Sequence, residues 1–170
     1  MVRCIEAVRR RGLPITFAVV YDVFFEAFAD MHVALESVLG TGYHVLPNFW
    51  IYYIERSDDS HGFKPHRDAE YTGTIGDNGL PTVLTVWVAL TEATPLNSRM
   101  YVVPRGRDPG YGRAVHDLGQ DGAGIALEDI RALPSEPGAV SCWTQYLYHW
   151  GSRSSHRAPE PRVSFALSCQ

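Results

Sequence analysis

From Thr16 to Leu39 apolar side chains return every three or four residues: Val19, Val23, Phe24, Ala27, Phe28, Met31, Leu35 and Val38. That spacing gathers them on one stripe of a helix, so the segment predicts one or two helices packed on a core, with Gly40 as the stop. Beyond Gly42 the pattern changes. "YHVLPNFWIYYIE" is rich in aromatic and β-branched residues, as strands are, and "PTVLTVWVAL" (81–90) reads as a buried strand entered through the turn Gly76-Asp77-Asn78-Gly79. "RMYVVP" (99–104) follows after the turn-like "TPLN", and these two segments are expected to pair as neighbouring strands. "AVSCWTQYLYHW" (139–150) and "RVSFALSC" (162–169) complete the strands.

Between them, residues 105–138 are full of Gly, Pro and Asp, with one short helical stretch expected near Ala126 to Leu133. A loop of that length in a compact domain serves function when it is ordered, and the part carrying Tyr111, Arg113 and His116 is the candidate lid. Arg105, Arg107 and Arg113 offer positive charge there to an anionic substrate, against the plainer reading of solvated charges. The sum is a single domain, 1–170, with a helical part at 1–42 and a β-rich core at 43–170. The class is α+β, mainly β, a sandwich or barrel with the N-terminal helices packed on one sheet.

Composition narrows the function. Hydrophobic residues at 45% and a net charge of −4 describe an ordinary globular chain, and no basic stripe points to nucleic acid. Three cysteines, Cys4, Cys142 and Cys169, share no CxxC spacing, which fits a reducing compartment. Basic residues ahead of an apolar run, with Ala27-Phe28-Ala29, imitate a secretory leader. Asp22 and Glu26 interrupt that run and the helical pattern continues past it, so the expected location is cytoplasmic, with no membrane segment.

The chemistry centres on "GFKPHRDAEY" (62–71), where His66 and Asp68 stand one residue apart. Residues i and i+2 of a strand share a face, so an imidazole and a carboxylate can be presented together. With a second histidine this is the facial triad that holds non-haem Fe(II) and leaves the opposite positions open. His149 is the best-placed third ligand, at the end of a strand in which Trp143, Gln145, Leu147 and His149 alternate onto one face. A lone HxD also arises by chance in solvated loops, and it needs its context. Arg162 supplies some: it opens an apolar strand, where its guanidinium can pair bidentately with a carboxylate, a co-substrate carboxylate being one candidate. Arg153 and Arg157, in a Ser-rich loop, read as surface charges.

"HRD", "LTVWVALTEATPLNSRMYVVPRG" and "PGAVSCWTQYLYHWGSRSSHRAPEPRVSFAL", in that order, resemble the phytanoyl-CoA dioxygenase-like group of Fe(II)- and 2-oxoglutarate-dependent oxygenases over about residues 46 to 168. The resemblance implies a double-stranded β-helix, a cupin-like jelly-roll, with Fe(II) on His66, Asp68 and His149. It also implies 2-oxoglutarate on Arg162, O2 as co-substrate, and Tyr53 as a further co-substrate contact, a role that competes with core packing. The implied reaction hydroxylates or desaturates a small organic molecule and releases succinate and CO2. Asp68, present where halogenases of this class vacate the ligand, favours those outcomes over halogenation. "PRGRD" (104–108) departs from the group's usual "PGSH", and the short N-terminal part leaves room for a second copy of the chain, a homo-oligomer, to help close the pocket. Two rivals remain at this stage: a cupin-like metalloenzyme that does not use 2-oxoglutarate, and a non-catalytic jelly-roll binding module.

Overall fold

The computed structural model describes residues 1–68, 74–112 and 124–170. Helix α1 (Val2–Arg10), a 3-10 segment (Ile15–Val20) and helix α2 (Asp22–Leu39) come first. The stripe expected over 16–39 is thus a short 3-10 segment followed by one helix, ended by Gly40 at φ 88°, a left-handed conformation open to glycine. Helix α1 carries its apolar residues in a run with basic neighbours, a pattern that sequence reading set against a secretory leader and did not assign as a helix. Among the described residues no helix is long and apolar enough to cross a membrane.

Two antiparallel sheets follow. Strands β1 (Trp50–Ile54), β2 (Leu84–Ala89), β5 (Val140–Thr144) and β7 (Arg162–Cys169) form one in the order β1-β7-β2-β5. Strands β3 (Met100–Val103), β4 (Arg131–Leu133) and β6 (Tyr148–Gly151) form the other in the order β4-β3-β6. Three expectations are corrected here. Strands β2 and β3 are not neighbours but lie in different sheets. The segment 139–150 is not one strand: a turn at Gln145-Tyr146, closed by Leu147 N–H to the Thr144 carbonyl at 3.0 Å, passes the chain from one sheet to the other. The helix near Ala126 to Leu133 is a 3-10 turn (Leu127–Asp129) leading into β4, which pairs with β3. Arg113 and His116 of the candidate lid lie outside the described residues.

Alternation along the strands sorts two cores. Val163, Phe165, Leu167 and Cys169 of β7, Leu84, Val86 and Val88 of β2, and Ile51 of β1 face the helices, packing against Phe24, Met31 and Leu35 of α2. Phe24 meets Phe165 edge-on with ring centroids 5.6 Å apart, and burying each such ring contributes roughly 1.5–3 kcal/mol. The other face of the same strands, through Thr85, Trp87, Ala89 and Ala166, looks toward the second sheet, where Met100 meets it. One sheet is therefore clamped by helices behind it, and its inner face is left to build a site.

Candidate metal centre

Between the sheets, His66, Asp68 and His149 each offer one ligand atom, and these atoms lie within 4.8 Å of one another. His66 is not in a regular strand. A single antiparallel bridge pairs it with His149, and Asp68 lies two residues beyond. Strand β6 fixes His149, which is buried, and its ring lies 4.3 Å from that of His66 and 4.9 Å from that of Trp143, centroid to centroid.

Each ligand's outer atom is already engaged. His66 Nδ1 is 2.7 Å from the Lys64 carbonyl and His149 Nδ1 is 2.9 Å from the Leu147 carbonyl. A carbonyl only accepts, so both Nδ1 atoms carry the proton and donate, and each Nε2 keeps a lone pair turned inward. Asp68 Oδ2 accepts from Thr85 Oγ1 at 2.7 Å and from Trp143 Nε1 at 3.0 Å, which leaves Oδ1 facing the Nε2 atoms at 3.3 Å (His66) and 3.6 Å (His149). Two imidazole nitrogens and one carboxylate oxygen converge, oriented from behind as metal ligands are.

At Asp68 and His149 the electrostatics agree. Burial opposes the charge on Asp68, yet His66, His149, Thr85 and Trp143 outweigh it and hold the carboxyl down at about 2. Burial lowers the His149 pKa below its ordinary value and dominates the attraction of Asp68, so this imidazole stays neutral. At His66 burial also pulls downward, but the Asp68 carboxylate and the Lys64 carbonyl prevail and raise it.

Arg162 opens β7 on the same cavity, 3% exposed. Its Nε and one terminal nitrogen are buried with no hydrogen-bond partner among the described residues, and its guanidinium lies 5.7 Å over the Trp87 ring. Burial lowers its pKa to about 10, with Tyr52 opposing, so it remains a cation at neutral pH. Two positions on, on the same strand face, the Ser164 hydroxyl is also buried and unpartnered. A buried cation beside an orphaned hydroxyl is costly unless an anion completes it, so these atoms are placed to receive one.

Tyr53 is not brought to this site. It sits on the opposite face of β1, against the helix-side core, with Arg9 4.5 Å over its ring. The reason is parity: Tyr52 takes the inward position, lines the cavity, and has its pKa pushed up to about 12, by burial first and then by Asp68. Sequence reading missed Tyr52, Thr85, Trp143 and Ser164 as site residues. Thr85 and Ser164 carried a usable signal, since a hydroxyl in an otherwise apolar buried strand must find a partner. A cleft of about 360 Å³ opens outward past Trp50, Phe63 and Gln145, with Trp50 and Phe63 both more than half exposed.

No family model and no curated protein matches the sequence. Solved structures do. The epimerase SnoN in complex with Fe3+, alpha ketoglutarate and nogalamycin RO superposes with a TM-score of 0.63 at 18% identity, over 91% of this chain and 61% of that one. EctD from S. alaskensis with 2-oxoglutarate and 5-hydroxyectoine gives 0.55 at 21% identity, over 79% of this chain and 46% of that one. The nickel complex of the non-heme monooxygenase ThoJ gives 0.54 at 23%, over 81% and 48%. The chain shares the fold of these proteins, and it spans between 46% and 61% of their lengths.

Proposed function

We propose that the protein is an Fe(II)- and 2-oxoglutarate-dependent oxygenase that hydroxylates or desaturates a small organic molecule. Its two sheets would form the double-stranded β-helix of the phytanoyl-CoA dioxygenase-like group. The observation that carries the reading is one cavity holding both a convergent His66–Asp68–His149 donor set and the unpartnered guanidinium of Arg162. Either alone has another explanation; together they match a metal and a dicarboxylate bound side by side. SnoN and EctD, in the structures that hold alpha ketoglutarate or 2-oxoglutarate, share the fold.

His66 Nε2, Asp68 Oδ1 and His149 Nε2 would hold the metal, and Arg162 with Ser164 would bind the distal carboxylate of 2-oxoglutarate. Fe(II) with 2-oxoglutarate and O2 supplies an oxidant able to attack an unactivated C–H bond, as succinate and CO2 are released. The protein's share is orientation and dryness. Trp87, Tyr52 and Trp143 wall the cavity with rings, which keeps water from the reacting centre. Thr85 and Trp143 fix which carboxylate oxygen of Asp68 turns inward. Trp50 and Phe63 at the mouth give an apolar surface to a ring-bearing or otherwise apolar substrate.

Titration calorimetry of 2-oxoglutarate into Mn(II)-loaded protein tests this without requiring the substrate. One-to-one binding that needs the metal is expected. Binding to the metal-free protein with the same affinity would remove chelation from the account, and no binding at all would favour a metalloenzyme of another kind.

A further inference from the structure

Arg67, the residue between His66 and Asp68, has a side chain that is buried in the protein. Its two terminal nitrogens fork onto Asp108: Nη1 donates to Oδ2 at 2.5 Å and Nη2 to Oδ1 at 2.8 Å. Both side chains are buried, at 7% and 0% exposure. Nη1 also donates to the Tyr146 carbonyl at 2.9 Å, and the guanidinium lies 4.9 Å over the Tyr148 ring. Asp108 is held in turn, its Oδ1 accepting the Gly110 N–H at 2.9 Å.

These contacts join three separate pieces of chain. Arg67 carries His66 and Asp68 on its two sides. Tyr146 lies in the turn that leads into β6, and Tyr148 opens that strand just before His149. Asp108 belongs to the loop that leaves β3. A single guanidinium therefore ties the HxD segment to the segment that leads into His149 and to the loop of Asp108. A planar fork fixes angle as well as distance, which a lysine ammonium does not.

We propose, on the same reading of His66, Asp68 and His149 as metal ligands, that Arg67 is a positioning residue for the metal centre, acting through Asp108. Its function is to hold the two halves of the donor set in register.

The test is a Co(II) titration followed by visible absorption, on the wild type and on His66→Ala, Arg67→Lys, Asp108→Asn and the Arg67→Lys/Asp108→Asn double variant. Asn97→Ala is the control: Asn97 is fully buried and hydrogen-bonded to Thr94 and the Glu92 carbonyl, and lies outside the ligand set. Arg67→Lys and Asp108→Asn are each expected to weaken Co(II) binding by about 10- to 100-fold, the range for residues that orient ligands, and to shift the ligand-field bands. The double variant should be no weaker than the worse single one, because both break one link. Asn97→Ala should lower the melting temperature while leaving affinity and spectrum in place.

Wild-type affinity and spectrum in both Arg67→Lys and Asp108→Asn, with His66→Ala unable to bind, would overturn the role of Arg67 and keep the metal centre. Equal weakening in Asn97→Ala would overturn it too, by reducing the effect to general destabilisation. No Co(II) binding by the wild type, or undiminished binding by His66→Ala, would overturn the metal centre itself.

Discussion

The backbones of His66 and His149 are hydrogen-bonded to each other in both directions, each N–H to the other's carbonyl at 3.0 Å. Two histidines that are 83 residues apart in sequence are thereby made ladder partners, their ring centroids 4.3 Å apart, as the proposed metal site requires. Preorganisation of this kind lets ligation energy go into affinity rather than into ordering the chain.

The proposed metal and 2-oxoglutarate sites should separate by mutation. His149→Ala removes a ligand and is expected to abolish metal binding. Arg162→Ala should keep the metal and weaken 2-oxoglutarate by at least about 10-fold, since a charge-assisted pair in a buried site contributes on the order of 1.5–3 kcal/mol. Metal analysis and calorimetry on both variants check this; equal metal loss in the two would mean the arginine supports the ligand set instead.

Thr85→Val keeps the side-chain volume and removes the hydroxyl that donates to Asp68. Metal affinity should fall by about 10-fold, with Trp143 still holding the same oxygen. A Co(II) titration with unchanged affinity would show that Trp143 alone suffices.

Gly62 and Gly151 pass one another so closely that a Cβ on Gly151 would lie 2.8 Å from the Gly62 Cα, and one on Gly62 would lie 2.6 Å from the Gly151 Cα. Both neighbours are backbone and neither side can yield cheaply. Gly151→Ala, two residues after His149, should cost about 1–3 kcal/mol as overpacking does. Denaturant unfolding measures it; a cost under about 0.5 kcal/mol would mean the strands separate freely here.

The Asp68 carboxyl titrates at about 2 in the fold, against about 3.9 in an unfolded chain, so the unfolded chain takes the proton first as pH falls. The stability this group contributes is present above about pH 4 and is lost as pH falls toward about 2. The gap in denaturant midpoint between metal-free wild type and Asp68→Asn should therefore narrow across that window. A gap of constant size would place the carboxyl at its ordinary value.

How much of this was legible varied with the physics of each segment. His66, Asp68 and His149 were singled out by i, i+2 spacing, strand-face alternation and the family resemblance, and Arg162 because a charge opening an apolar strand is hard to explain as surface. Strand-like runs between turns pointed to a sandwich or barrel, and the arrangement in two sheets came from the family resemblance. Tyr52 and Tyr53 could not be told apart, because "WIYYI" has helices behind it and the cavity before it, and no polar alternation reveals which face is which. The break at Gln145-Tyr146 was hidden for a related reason: Trp143 and His149 do approach each other, but around a turn between sheets rather than along one strand. Arg67, between His66 and Asp68, was given no role from the sequence. Its partner Asp108 lies 41 residues on, and only the fold brings them together.

The most direct measurement is the anaerobic visible absorption of the protein with Fe(II), before and after 2-oxoglutarate is added. The account predicts a new metal-to-ligand charge-transfer band that is absent in His66→Ala and needs a higher 2-oxoglutarate concentration in Arg162→Ala. Bound iron with no band on adding 2-oxoglutarate would contradict it.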